Sequence, residues 1–252
     1  MAHVIALANQ KGGVGKTTTS INLGAALAQA GKRVLLVDID PQGNATSGLG
    51  VDKSTLKSDV YDVLIQEATV RDVVVATDNM DLVPATIQLS DSEVQLVNIP
   101  EREYRLKKAL EAVQGEYDYI LIDNPPSLGL LTINSFTAAN SVLIPVQTEF
   151  YALEGLGQLI NTVELVRQQF NPELEIGGIL LTMYDGRTNL AKQVSQEVRS
   201  YFKDRVYQTV IPRTVRLSEA PSYGQAIIDF DPRSLGARVY TELAQEVLKQ
   251  YG

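Results

Sequence analysis

The 252-residue chain contains no cysteine and a single histidine, His3. The first absence excludes disulfides, thiolate zinc sites, iron–sulfur clusters and cysteine nucleophiles. The second excludes a histidine-rich metal site. No apolar run reaches the ~18 residues of a membrane span. The start, Met1-Ala2-His3-Val4, has no basic segment and no cleavable apolar stretch, so a cytoplasmic location is expected. At this length one α/β domain over 1–252 is expected, large enough to bury about three quarters of its unfolded surface.

Net charge is −8, which on its face argues against nucleic-acid binding, but the charge is unevenly spread. Residues 1–180 carry 12 Lys/Arg against 22 Asp/Glu, whereas residues 181–252 carry 10 against 8. Within 185–216 lie seven basic residues (Arg187, Lys192, Arg199, Lys203, Arg205, Arg213, Arg216) and three acidic ones. Screening limits each charge to about 8–10 Å, so a local basic surface can attract phosphate on an acidic protein. An ordinary solvated helix face is the alternative.

Apolar, β-branched runs recur at Val4–Ala8, Val34–Asp38, Tyr119–Asp123, Ser141–Val146, Ile176–Thr182 and, shorter, Val210–Ile211. Runs apolar on both faces suit a helix-covered parallel sheet. Helical patterns lie between them, at Lys16–Ala30, Glu103–Val113, Gly155–Phe170, Leu190–Phe202 and Leu235–Tyr251. Leu106, Ala109, Leu110 and Val113 have the spacing of one buried helix face, and Ser90 with Glu93 reads as a capping box. The alternation predicts an α/β fold, a doubly wound, mostly parallel sheet flanked by helices, without repeat or linker.

In such sheets ligands sit beyond the carboxyl ends of the strands. The segments there are Asn9–Thr17, Ile39–Asn44 and Asn124–Ser127, all polar or Gly/Pro-rich, and they should converge on one cleft. Gln10–Thr18 has the strand–loop–helix context of a P-loop, a phosphate cradle. Gly12, Gly13 and Gly15 let successive N–H groups turn inward, and the helix opening at Lys16 adds its positive end. Lys16 is then placed for the β and γ phosphates and the Thr17 hydroxyl for Mg²⁺. The usual G-x-x-x-x-G-K-[ST] pattern is not met. Gln10 stands where the first glycine would, and Lys11 follows. A lysine at the entrance does not easily fold back onto its own cradle, so it either reaches a nucleotide on a second copy of the chain or is an exposed loop lysine.

Lys11-Gly-Gly-Val-Gly-Lys16-Thr-Thr resembles the deviant Walker A loop of the ParA/MinD ATPase family. Val37–Asn44 and Ile122–Pro126 resemble its second motif and its Walker B equivalent, and Asn171–Met183, Ile211-Pro212-Arg213 and Arg216–Ser222 extend the likeness over nearly the whole chain. It is nearest the chromosomal ParA (Soj) type. The resemblance implies a slow, Mg²⁺-dependent ATPase that binds ATP and ADP through Lys11, Gly12, Gly13, Val14, Gly15, Lys16, Thr17 and Thr18. Lys11 would act across a homodimer formed on ATP binding. Asp40 would orient the attacking water near Mg²⁺, and Asp123 would hold the Mg²⁺ shell. Pro212 and Arg213 would contact adenine, and Arg187 and Arg216 would bind double-stranded DNA without sequence preference. A ParB-type centromere-binding protein would stimulate hydrolysis, giving a nucleoid-associated DNA-partitioning switch. Each residue also has a plainer role: Asp123 capping a turn, Asp40 closing an Asx-turn, Arg187 pairing with Asp185. Asn124 departs from the Cys, Ser or Thr common in relatives, which leaves the hydrogen bonding beside Asp123 open. A MinD-like membrane role would need a basic amphipathic tail. Thr241–Gly252 has none, so no membrane partner is expected.

Overall fold

The computed structural model describes residues 1–149 and 152–252, and all of their side chains but 92–94 and 154. The frame is one eight-stranded sheet: β1 (His3–Leu7), β2 (Val34–Asp38), β3 (Val75–Ala76), β4 (Asp81–Val83), β5 (Tyr119–Asp123), β6 (Ser141–Gln147), β7 (Glu175–Tyr184) and β8 (Val206–Pro212). Their spatial order is β3-β4-β2-β5-β1-β6-β7-β8. Every neighbouring pair is parallel except β3 with β4.

Alternation along the central strands sorts side chains into two cores. Val4, Ala6, Leu35, Val37, Ile120, Ile122, Val142 and Ile144 enter one. Ile5, Leu7, Val34, Leu36, Leu121 and Leu143 enter the other. The period-two projection of a strand does this automatically. Each fully buried Leu or Ile contributes about 1.5–3 kcal/mol, which makes β1, β2 and β5 the stiffest platform in the molecule. The Lys16–Gln29 and Leu235–Tyr251 helices pack together against the second core. The Arg105–Glu111, Leu130–Ala138 and Ala152–Gln169 helices cover the first.

The doubly wound, mostly parallel expectation holds, with boundaries shifted by a few residues. β8 is longer than Val210–Ile211 because Val206, Tyr207 and Thr209 are also buried. The expected Glu103–Val113 helix splits into a 3₁₀ turn at Arg102–Tyr104 and a helix over Arg105–Glu111, with Leu106, Leu110 and Val113 buried. Ser90 lies inside a helix, Leu89–Gln95, rather than ahead of one, and the Glu93 half of the expected capping box falls on a side chain outside those described. The Leu130–Ala138 helix was not expected. Thr132, Asn134, Ser135 and Thr137 are buried together with its apolar residues, so LLTINSFTA shows no division into an apolar and a polar face.

Candidate functional site

The loops after β1, β2 and β5 do converge. A cleft of about 590 Å³ is lined by Gly12, Gly13, Gly15, Lys16, Thr17, Thr18, Asp40, Gln42, Asn44 and Pro126, with Met183, Pro221 and Ser222 on its far side. The loop itself is held from outside. Asn9 donates to Pro145 O at 2.7 Å and accepts from the Lys11 N–H at 2.9 Å, and the Thr182 hydroxyl donates to Val14 O at 2.8 Å. Gly13 and Gly15 have φ of 74° and 88°. A Cβ at Gly13 would meet nothing, so the backbone conformation, not space, demands glycine there. Gly15 caps the Lys16–Gln29 helix, whose exposed amides and dipole face the cleft. At Gly43, φ is 58° and an added Cβ would stand 2.4 Å from Ala85 O, so that turn is closed to any side chain.

Charge in the cleft is buried and only partly compensated. Lys16 is 7% exposed, and burial lowers its pKa while Asp123 and Asp40 pull it back up. Its Nζ lies 3.4 Å from Lys11 O. Asp123 is fully buried at the end of β5 and accepts from the Thr17 hydroxyl at 2.7 Å and the Ser20 hydroxyl at 2.8 Å. Asp38 stands opposite it in the β2–β5 register. Asp38 accepts from the Thr46 N–H and hydroxyl and from the Asp40 N–H. Burial pushes both carboxyls above the usual carboxylate range, and for Asp38 the neighbouring Asp123 adds to the rise. Two carboxyls held this high, beside a hydroxyl, mark a site that gains when a hard cation arrives. Among the described residues no three acidic or imidazole side chains could enclose an ion. That suits Mg²⁺, which takes one or two carboxylates and completes its shell with water and phosphate oxygens.

Several expected residues are resolved further. Asp40 closes an Asx-turn, accepting the Gln42 N–H at 2.9 Å, and lines the cleft as well. The two readings of that residue are therefore compatible. Asn124 Nδ2, with two hydrogens to donate, lies 3.1 Å from Leu7 O, 3.2 Å from Ile122 O and 2.9 Å from Ser135 Oγ, tying β1, β5 and the Leu130–Ala138 helix together beneath Asp123. Pro212 and Arg213 line a separate lobe of about 520 Å³ that shares Gly15, Thr18, Met183 and Pro221 with the cleft. A nucleoside base beside a triphosphate needs such an adjoining, mostly apolar lobe.

Lys11 lies outside both lobes. With Gln10 and Val14 it lines a groove on the other side of the loop, and its Nζ pairs with Glu149 at 2.9 Å. Arg187 and Arg216 also stand apart from the cleft. Arg187 pairs with Asp185 at 2.7 Å, as the plainer reading had it, and Arg216 pairs with Glu219 and Asp231, each at 3.2 Å.

Sequence reasoning missed Met183, Pro221 and Ser222 as lining residues, and Thr182 as the loop's outer anchor. Met183 has φ 50°, a strained conformation for a side chain of that size. It ends the Asn171–Met183 stretch of the family likeness, but no local pattern shows that β7 brings it to the cleft from far along the chain.

A family profile described as "AAA domain" matches residues 2–176. The chain is 64% identical over 249 residues to the sporulation initiation inhibitor protein Soj of Bacillus subtilis, covering 98% of each. It is 53% identical over 252 residues to the chromosome partitioning protein ParA of Caulobacter vibrioides, covering 98% of this chain and 94% of that one. Among solved structures, a Mycobacterium smegmatis protein described as cobyrinic acid a,c-diamide synthase, with ADP and magnesium bound, is 42% identical. It superposes with a TM-score of 0.89 over all of this chain and 96% of its own. With the P-loop, its buried lysine and the paired carboxyls in place, the chain belongs to the ParA/Soj family of chromosome-partitioning ATPases.

Proposed function

We propose that this chain is an ATP-driven dimerisation switch for DNA partitioning, and that one observation carries the reading. Lys16 and Lys11 belong to the same loop but face opposite sides of it: Lys16 lies buried in the cleft, Lys11 at the rim against Glu149. A cation displayed at the rim serves a nucleotide held by a second copy. ATP with Mg²⁺ would sit on the amides of Gly12–Thr18, with Lys16 on the β and γ phosphates. Thr17, Asp40 and Asp123 would hold the cation, whose bound charge would help neutralise the transferring phosphoryl group. Pro212 and Arg213 would flank the base.

The chain's own part in hydrolysis is positioning. Asp40 has one carboxylate oxygen committed to its turn and, among the described residues, is the one carboxylate that lines the cleft. With no stronger base at hand, intrinsic hydrolysis is slow and a partner protein of the ParB type speeds it. The ATP-bound dimer would retain double-stranded DNA without sequence preference through Arg187 and Arg216, placing the protein on the nucleoid.

The Leu235–Tyr251 helix is not free to lie on a membrane. Val239, Tyr240, Leu243, Ala244 and Val247 of Leu235–Tyr251 are already buried against the second core, so its apolar face is spent. Among the described residues no helix is long and apolar enough to cross a membrane.

Gel filtration with ATP and Mg²⁺ tests the switch. Wild type elutes as a dimer, and Lys11→Ala, still able to bind nucleotide, elutes as a monomer. A Lys11→Ala protein that dimerises normally rules the reading out.

A further inference from the structure

Strand β7 carries the strained Met183 next to its last residue, Tyr184, which still pairs with Pro212 of β8, and then enters a tight turn at Asp185. Asp185 Oδ1 accepts from the Arg187 N–H at 3.0 Å and from its Nε at 2.9 Å, while Oδ2 accepts from Nη2 at 2.7 Å. One carboxylate thus occupies a whole edge of a guanidinium whose side chain is otherwise 90% exposed. The same carboxylate feels a second cation. Its pKa is pulled down to about 2, chiefly by the hydrogen bonds from Arg187, with the charge of Arg213 adding to the effect. Arg213 also lines the base-side lobe, where its Nη2 lies 4.0 Å from Met183 Sδ. Arg213 lies beside the same turn, its N–H donating to Tyr184 O at 3.4 Å, so Asp185 has near it both an arginine that lines the base-side lobe and an arginine that faces solvent.

We propose that Asp185 is a shared latch: a base entering the lobe presses Arg213 onto this carboxylate, and Arg187 is released to meet a nucleic-acid phosphate. The inference rests on the DNA-binding reading above and supplies its regulation. While latched, Arg187 is neutralised and its forked edge, the geometry that suits phosphate, is taken. Two guanidinium groups cannot both hold one carboxylate edge-on, so pressing one onto it displaces the other. The pair is exposed and hence weak, which keeps the exchange reversible.

Arg216 supplies an internal comparison. It is guarded by Glu219 and Asp231 and lies 5.5 Å over the Phe230 ring, and no pocket-lining arginine bonds to either carboxylate. Its guard should be indifferent to nucleotide.

The test is fluorescence anisotropy of a labelled random-sequence duplex at low salt, without nucleotide and with a saturating non-hydrolysable ATP analogue plus Mg²⁺. Asp185→Asn keeps an acceptor for the turn N–H, and thermal melts verify its fold. It is expected to raise nucleotide-free DNA affinity by about two- to fivefold, the worth of an exposed ion pair, and to shrink the gain on adding nucleotide. Asp231→Asn should raise affinity equally in both conditions. Arg213→Ala should lose part of the nucleotide-driven gain, and adding Asp185→Asn to it should restore DNA affinity. The inference is overturned if Asp185→Asn leaves nucleotide-free affinity at the wild-type level, or raises both conditions equally as Asp231→Asn does. Should the wild type bind the analogue yet ignore DNA in both conditions, the DNA-binding reading itself fails, a result separate from either of those, and the latch falls with it.

Discussion

The two ends of the sheet are built to opposite rules. At the carboxyl end, Lys16, Asp38 and Asp123 are buried with pKa values displaced by desolvation, and the glycines at 13, 15 and 43 hold left-handed backbone. At the amino end no charged side chain is buried among the described residues. His3 sits between the Ser141 hydroxyl, 3.0 Å from its Nε2, and the Tyr251 ring, stacked at 3.9 Å. That pair joins the first strand to the last helix. One end stores electrostatic cost that a ligand relieves; the other satisfies its polar groups and locks the termini. Function and stability are thus separated along the strand axis.

The largest effect that would break this contrast is at the cradle. Lys16→Ala should lower ATP turnover by about 10²–10³-fold, the usual loss when a preorganised electrostatic group is removed. Thermal stability should scarcely fall, because a buried cation is expensive to keep. A large drop in Tm would mean that Lys16 holds the fold together, and the contrast would be lost.

Asp123→Asn sharpens the point in the other direction. Its two partners are hydroxyls, Thr17 and Ser20, which can rotate to accept from an amide. The substitution should abolish Mg²⁺-dependent turnover yet stabilise the ligand-free chain by about 1–3 kcal/mol, since a raised carboxyl pKa measures the cost of its charge. The sign follows from linkage. With the folded pKa above the unfolded one, the benefit of the protonated form is present at low pH and fades as pH climbs to the folded value. The gain in Asp123→Asn should therefore be small near pH 4 and larger at pH 8, read by denaturant melts. A loss of stability at pH 8 would refute it.

How much of this was legible in the chain follows the same division. The strands of the platform and the P-loop announce themselves, because burial on both faces forces continuous apolar runs and phosphate contact forces glycine beside Lys-Thr. Lys16, Thr17 and Asp123 therefore appear in the sequence where the structure puts them. β3 and β4 did not, being two and three residues long, too short to show any period. The Leu130–Ala138 helix was hidden because its polar residues are buried along with its apolar ones. Met183 and Thr182 reach the loop only through the long crossover to β7, and Glu149 meets Lys11 across 138 residues. Contacts of that kind carry no local signature. The pairing of Arg187 with Asp185 was legible, since two residues of opposite charge flank one glycine.

At the amino end, Tyr251→Ala should cost about 1–3 kcal/mol, removing a half-buried ring and its stack on His3. ATP affinity should stay within twofold, because nothing in the cleft touches Tyr251. A matching loss of nucleotide affinity would show that the two ends are coupled after all.

The smallest effect tests the same lock by pH. Burial lowers the His3 pKa from 6.5 to about 4. Because the folded value lies below the unfolded one, the unfolded chain takes up the proton first as pH falls. Stability associated with neutral His3 is thus whole above about 6.5, declines between 6.5 and 4, and is level below that. The group is partly exposed, so solvent screening reduces the effect to about 1 kcal/mol. Many carboxylates titrate in the same range, so the quantity to measure is the difference between wild type and His3→Phe, which keeps the stack on Tyr251 but cannot be protonated. That difference should shrink as pH falls from 7 to 4, by the amount the wild type alone loses. If the two melting curves stay parallel across that window, the imidazole is not held neutral by its surroundings, and the amino end is a packing contact without an electrostatic share.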